Sequence, residues 1–274
     1  MGFFANTDGG RHTTDKDKTN YNMTKTVLIT GATSGIGAAC AEKFATAGYR
    51  LILNGRNAQK LAEMSKTLRD STGAEILELV FDVRDRDSVF SAIEHLSESW
   101  STIDVLINNA GLALGLEKEY KGNTDDWDTM VDTNIKGLLY VTRAVVPGMV
   151  ERGSGHVINI GSVAGDAAYA GGNVYCATKS AVKALSDGLR IDLADTAVRV
   201  TNIKPGLVET HFSVTRFHGD KAKADNVYKG IQPLTGTDIA DVALYAAQAP
   251  AHVQIAEVLV LATHQANGTV IYRK

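Results

Sequence analysis

From Thr26 onward, short runs of β-branched and other apolar residues alternate with longer stretches whose apolar positions recur every three to four residues. The short runs predict strands at Thr26–Thr30, Arg50–Leu53, Glu75–Phe81, Val105–Asn108, His156–Ile160, Arg199–Ile203 and Glu257–Leu261. The longer stretches predict helices at Gly37–Ala47, Ala58–Arg69, Asp87–Ser99, Asp126–Val150, Tyr175–Asp195 and Thr237–Ala249, with Ser88 and Thr237 as helix-start residues near two of the openings. Strands alternating with helices mean parallel pairing through crossover helices. The expected fold is therefore α/β: a single-domain, Rossmann-type, doubly wound parallel sheet of seven strands flanked by helices. Only Leu207 to Gly236 breaks the rhythm, mixing charge, aromatics and Gly without a period, and a loop of that length in a compact domain is expected to be an active-site lid.

The chain of 274 residues is long enough for a full core, and 44% hydrophobic with 22% charged residues is a globular composition. A net charge of -3 argues against a broad electrostatic footprint for nucleic acid or an anionic membrane. No window approaches the length of apolar sequence that a membrane span needs. Two cysteines, Cys40 and Cys176, both in predicted helices, cannot build a disulfide framework, so reduced thiols and a cytoplasmic protein are expected. Residues 1–22 are polar and lack the apolar centre of a secretory signal. They are expected to form a disordered tail whose loss leaves activity and melting temperature almost unchanged, with 23–274 forming the catalytic domain.

Between the first strand and the first helix lies Thr30-Gly-Ala-Thr-Ser-Gly-Ile-Gly37, which places Gly31, Gly35 and Gly37 where backbone amides and a helix N-terminus can face a pyrophosphate. The spacing differs from G-x-G-x-x-G, so the segment alone also reads as an ordinary glycine-rich turn. An acidic residue at the end of the second strand would bind the adenosine ribose hydroxyls. The second strand instead runs out into Asn54-Gly-Arg-Asn57, and Arg56 suits a 2′-phosphate through forked, charge-assisted hydrogen bonds.

Tyr175-Cys-Ala-Thr-Lys179 puts a phenol and an ammonium four residues apart on one helix face, where the cation would favour the phenolate and lower the tyrosine pKa. Ser162 follows the fifth strand at the carboxyl edge of the sheet, where open α/β folds bind ligands. One hydroxyl could polarise a carbonyl while the other exchanges its proton. Taken singly, the pair also reads as packing with a snorkelling lysine, and the serine as a turn residue.

Together, Thr30–Gly37, Asn108-Asn-Ala-Gly111, Asn134, Ser162, Tyr175 and Lys179 resemble the motif set of the short-chain dehydrogenase/reductase superfamily. The resemblance implies that Tyr175 is the general acid/base, that Lys179 lowers its pKa and holds the nicotinamide ribose, and that Ser162 binds the substrate oxygen. It implies that Asn134 maintains a helix distortion and a water linking the lysine to solvent. For the cofactor, NADP(H), it implies Gly31, Thr33, Ser34, Gly35, Ile36 and Gly37 around the phosphates, with Arg56 and Asn57 beside them. Asp82 and Val83 fall to the adenine, Asn109, Ala110 and Gly111 to the adenosine and its sugar, and Pro205, Gly206, Val208 and Thr210 to the nicotinamide. It also implies a homotetramer built through the two longest helices.

Narrower blocks, Asn109-Ala-Gly-Leu-Ala-Leu-Gly115, Thr142–Arg152, Tyr169–Tyr175 and Arg216-Phe-His-Gly-Asp220, resemble the NADP-dependent 3-hydroxy acid dehydrogenases that act on serine and L-allo-threonine. Related proteins reduce malonic semialdehyde or sulfoacetaldehyde, so the expected substrate is a small anionic hydroxy acid or the matching aldehyde. Its anion requires a cation, for which Arg216 in the lid is the candidate. The alternatives are Asn173, lid amides, or Arg273 from a neighbouring subunit. Among other chemistries, the histidines form no H-E-x-x-H and His211 with His218 is a sparse pair, so no metal is expected. Ile160-Gly-Ser-Val-Ala-Gly165 lacks the first glycine of a G-x-S-x-G nucleophile elbow. A non-catalytic NADP-binding sensor is the alternative of another class; such a protein would be expected to lack Tyr175 or Lys179.

Overall fold

The computed structural model describes residues 24–274; the expectation for residues 1–22 lies outside that range. Seven strands, β1 (Thr26–Ile29), β2 (Arg50–Gly55), β3 (Ile76–Val80), β4 (Val105–Asn108), β5 (Gly155–Ile160), β6 (Val198–Pro205) and β7 (Glu257–Val260), form one sheet in the order β3-β2-β1-β4-β5-β6-β7. Every pairing is parallel. The doubly wound sheet of the sequence reading is therefore present. In β1, Val27 and Ile29 enter one core while Leu28 enters the core on the opposite face, and all are fully buried. Covered on both faces, such a strand gains from an unbroken apolar run rather than an alternating one.

Helices α1 (Gly35–Thr46) and α2 (Ala58–Thr72) cover one face together with α9 (Gly236–Gln248); α3 (Arg86–Glu94), α5 (Leu138–Arg152) and α6 (Asn173–Asp192) cover the other. Burial of Phe44, Leu61 and Ile239 on the first face and of Val89, Val141 and Met149 on the second contributes about 1.5–3 kcal/mol for each large side chain. Two helix starts differ from expectation. Asp85, not Ser88, caps α3, because its carboxylate accepts from the Asp87 and Ser88 amides. At α9 the cap is Thr235, which exchanges hydrogen bonds with Asp238 in a capping box.

The helix expected over Asp126–Val150 is three pieces. Helix α4 (Thr124–Val131) runs through a wider π turn at Asp132–Gly137 into α5. Within the lid expected at Leu207–Gly236 there are two short helices, α7 (Phe212–Arg216) and α8 (Lys221–Val227). The base of this segment is closed by Leu234, whose N–H donates to Leu207 and whose carbonyl accepts from Glu209. Strand order reverses between β1 and β4, and the crevice beyond their carboxyl ends is where such sheets bind ligands.

Candidate active site

The turn after β1 is built for close approach of a ligand to backbone. Gly31 and Gly35 have φ of +63° and +56°, in the left-handed region that favours glycine. A methyl group on Gly37 would collide with the Gly31 carbonyl and with Nδ2 of Asn109. That Asn109 amide donates to the carbonyls of Thr30 (2.9 Å) and Gly31 (3.0 Å), so the asparagine staples the turn to the end of β4. Thr30 Oγ1 accepts from the amides of Asn109 and Ala110, fixing the same junction from the other side. Helix α1 starts here without a side-chain cap from Ser34 and without an acidic residue in its first turn. Its amide-rich end is therefore free to meet an anion.

This turn opens into a cavity of about 550 Å³. Lining it are Gly31, Thr33, Ser34, Gly35, Ile36, Arg56, Asp82, Val83, Asn109, Ala110, Gly111, Ser162, Tyr175, Lys179, Pro205, Gly206, Val208, Thr210 and Arg216. Four residues singled out from the sequence do not line it. Gly37 makes room behind the turn, and the Asn57 side chain is engaged in capping α2 through Lys60 N–H. Asn134 stands behind the wall: its side chain accepts from Leu112 N–H (2.9 Å) and donates to Leu112 O (2.8 Å) and Thr178 Oγ1 (3.0 Å). It lies within the π turn, so a local helix distortion is present at this residue. Asn173 sits at the start of α6, hydrogen-bonds the adjacent Val174 amide and borders a separate small pocket.

Tyr175 and Lys179 are buried on α6, and Ser162 follows β5 with its Oγ accepting from Ala164 N–H (3.1 Å). Lys179 Nζ donates to the Ile160 carbonyl (2.8 Å) and lies 5.9 Å from the centre of the Tyr175 ring. Burial pushes the lysine down to about 8 and the tyrosine up to about 12. The expected lowering of the phenol by Lys179 is not what the surroundings produce. Desolvation dominates, Tyr169 adds to it, and the groups that oppose it are Arg216 and the Ser162 hydroxyl.

Arg216 reaches back from the end of α7, its guanidinium carbon 5.0 Å from the Tyr175 ring centre and 5.5 Å from that of Phe212. Nη2 donates to the Tyr169 hydroxyl at 2.6 Å, while Nε is buried and has no hydrogen-bond partner. Tyr169, whose phenol burial pushes up while Arg216 opposes the shift, was present in the sequence blocks but had no assigned role. Three more lining residues, Gln265, Gly268 and Arg273, come from the C-terminal segment. Gln265 accepts from Leu207 N–H beside the Pro205-Gly206 turn, and Arg273 donates to the carbonyls of Val227 and Lys229. Arg273 thus reaches the cavity of its own chain. Among the described residues no group of His, Cys, Asp and Glu is arranged to hold a metal.

A glycine turn at a bare helix start, a strand-end serine and a buried tyrosine–lysine pair thus face one cavity at the carboxyl edge of a parallel sheet. The chain belongs to the short chain dehydrogenase family, which it matches over residues 25–221. It is 51% identical over 230 residues to the NADP-dependent 3-hydroxy acid dehydrogenase YdfG of Salmonella typhi, covering 84% of this chain and 91% of that protein. It is 47% identical over 251 residues to the NADP-dependent 3-hydroxy acid dehydrogenase of Schizosaccharomyces pombe, covering 91% and 97%. The structure is similar to the closed form of a serine dehydrogenase complexed with NADP+, with a TM-score of 0.85 and 45% identity over 91% of this chain and 99% of that one.

Proposed function

We propose that the protein is an NADP(H)-dependent oxidoreductase that interconverts a small 3-hydroxy acid and the matching aldehyde or keto acid. One observation carries the substrate class: the guanidinium of Arg216, a cavity-lining residue, stands 5.0 Å from the ring centre of the tyrosine that would exchange the substrate's proton. A carboxylate or sulfonate in the cavity would meet this cation through a charge-assisted hydrogen bond. The names of the relatives support the same substrate class and the same cofactor.

The cavity fits this cofactor. Its glycine turn excludes side chains where a pyrophosphate would lie, the start of α1 offers free amides, and Arg56 at the far end suits a 2′-phosphate. Asp82 and Val83 would hold the adenine, the Asn109–Gly111 backbone the adenosine, Lys179 the nicotinamide ribose, and Pro205, Gly206, Val208 and Thr210 the nicotinamide. When bound, NADP(H) gives or takes the hydride.

The chain supplies the rest. With its pKa near 12, Tyr175 holds its proton at neutral pH and can deliver it to a carbonyl oxygen during reduction. Ser162, whose oxygen already accepts from Ala164 N–H, has its own O–H to give to that carbonyl oxygen. The Arg216 charge stabilises the phenolate left behind, and the same guanidinium orients the substrate's anion. Asn134 keeps the Leu112 peptide and Thr178 of α6 in register, and thereby the turn of helix that carries Lys179. We place the protein in the cytoplasm as a homotetramer joined through α5 and α6, where exposed Leu139, Val150 and Ile191 favour helix contacts. Incubation with NADPH and a panel of short aldehyde acids and 3-oxo acids tests the reading. Oxidation of NADPH is expected; tight binding without turnover would establish a sensor instead.

A further inference from the structure

Arg56 is the group expected to meet a 2′-phosphate, yet an acidic residue lines the same end of the cavity. Asp82 comes within 3.7 Å of Arg56 Nη1. A carboxylate there would work against the phosphate twice, by direct repulsion and by drawing the arginine into an ion pair. What prevents this is the residue two positions on. Arg84 meets Asp82 Oδ1 with its main-chain N–H (3.0 Å) and Nε (3.1 Å), and Oδ2 with Nε (3.0 Å) and Nη2 (2.7 Å).

Both carboxylate oxygens are thereby occupied by a partner so close in the chain that little ordering entropy is lost in forming the contact. The 3.7 Å approach of Arg56 is beyond hydrogen-bond reach, and its side chain remains 61% exposed. Arg56 and Asp82 line the cavity whereas Arg84 does not, so Arg84 engages the carboxylate from outside. Partial burial works against the Asp82 charge, but the Arg84 hydrogen bonds, and then the Arg84 and Arg56 charges, hold its carboxyl below the usual range. The carboxylate is thus ionised at neutral pH and must be neutralised by a neighbour rather than by a proton.

We infer that Arg84 is a specificity-determining residue for the cofactor: by clamping Asp82 it leaves Arg56 free for the 2′-phosphate and cancels the charge that would repel it. The inference rests on the NADP(H) reading above. Repulsion and capture of Arg56 both act on the phosphate, whereas the adenine contact of Asp82 serves both dinucleotides alike, so Arg84 should govern the ratio of affinities rather than affinity as such.

The test is calorimetric titration of NADP+ and NAD+ into the wild type, Arg84→Ala, Asp82→Asn and the double variant, with no turnover needed. In Arg84→Ala the preference for NADP+ should fall by roughly three- to tenfold, the scale of a partly exposed charge contact, through weaker NADP+ binding. Adding Asp82→Asn to Arg84→Ala should restore most of that ratio, since no carboxylate remains to capture Arg56. An unchanged ratio in Arg84→Ala overturns the inference, as does a fall that Asp82→Asn leaves in place, which would mark Arg84 as merely structural. Failure of the underlying reading is told apart at once, because wild-type protein alone would then bind NADP+ no more tightly than NAD+.

Discussion

Replacing Arg216 by alanine separates two jobs that the proposed function gives to one guanidinium. As an anion clamp it would offer the substrate an Nη group beside the one engaged by Tyr169, and hydrogen bonds to charged groups contribute about 1.5–3 kcal/mol. On that scale the variant loses roughly 10- to 150-fold in kcat/KM for an aldehyde carrying a carboxylate. As a neighbour of Tyr175 it opposes the burial that holds the phenol near 12, so its removal makes the acid weaker for every substrate. A neutral aldehyde of similar size should therefore lose some activity, and the informative quantity is the ratio between the two substrates. NADPH oxidation with both, measured on wild type, Arg216→Ala and Arg216→Lys, gives it. Lysine restores a charge near Tyr175 but not the planar fork, so it should recover the neutral substrate more fully than the anionic one. Equal losses on both substrates would show that Arg216 acts only through Tyr175, and no loss on either would remove it from the site.

Tyr175→Phe deletes the proton carrier while leaving the turn at Gly31–Gly37 intact; turnover should drop ~10²–10⁴-fold with NADPH affinity, read by titration, nearly preserved. Gly37→Ala should do the reverse, abolishing cofactor binding because the new methyl meets the Gly31 carbonyl and Asn109 in a turn that cannot yield; undiminished NADP+ affinity would place the dinucleotide elsewhere. Buried His156 is held down at about 3, by desolvation first and then by Arg199 and Lys25, against an ordinary 6.5. On acidification the unfolded chain therefore takes up this proton before the folded one, and the stability it contributes is complete above pH 6.5 and lost at about 1.4 kcal/mol per pH unit down to about 3. Denaturant unfolding across that window should show a shallower acid loss in His156→Gln than in wild type.

The strands were legible in the sequence because a parallel strand buried on both faces carries a near-continuous apolar run, as in the fully buried Val27, Leu28 and Ile29 of β1. The break between α4 and α5 was legible only through the resemblance, which implies a distortion at Asn134, because the apolar period runs through Asp132–Gly137 and the cause is remote: Asn134 binds a peptide 22 residues earlier. Spacing of four residues correctly put Tyr175 and Lys179 on one helix, but spacing does not say where a long side chain ends. Lys179 turns to the Ile160 carbonyl, and the cation that bears on the phenol is Arg216, delivered by a helix of five residues in a segment without periodicity. That Arg273 reaches the cavity of its own chain was unreadable for the same reason, since the pairing of the chain end with His264 and Gly230 brings it to the rim. The local relations that sequence encodes well thus fix the dinucleotide turn and the serine, tyrosine and lysine at strand and helix ends. The cation that opposes the burial of Tyr175, and that we propose receives the substrate's anion, comes from the Leu207–Gly236 segment, which contributes little to either core. Substitutions there can change substrate choice and pH behaviour while leaving the sheet untouched, and for that reason substrate class is the part of the function least legible from strand and helix patterns.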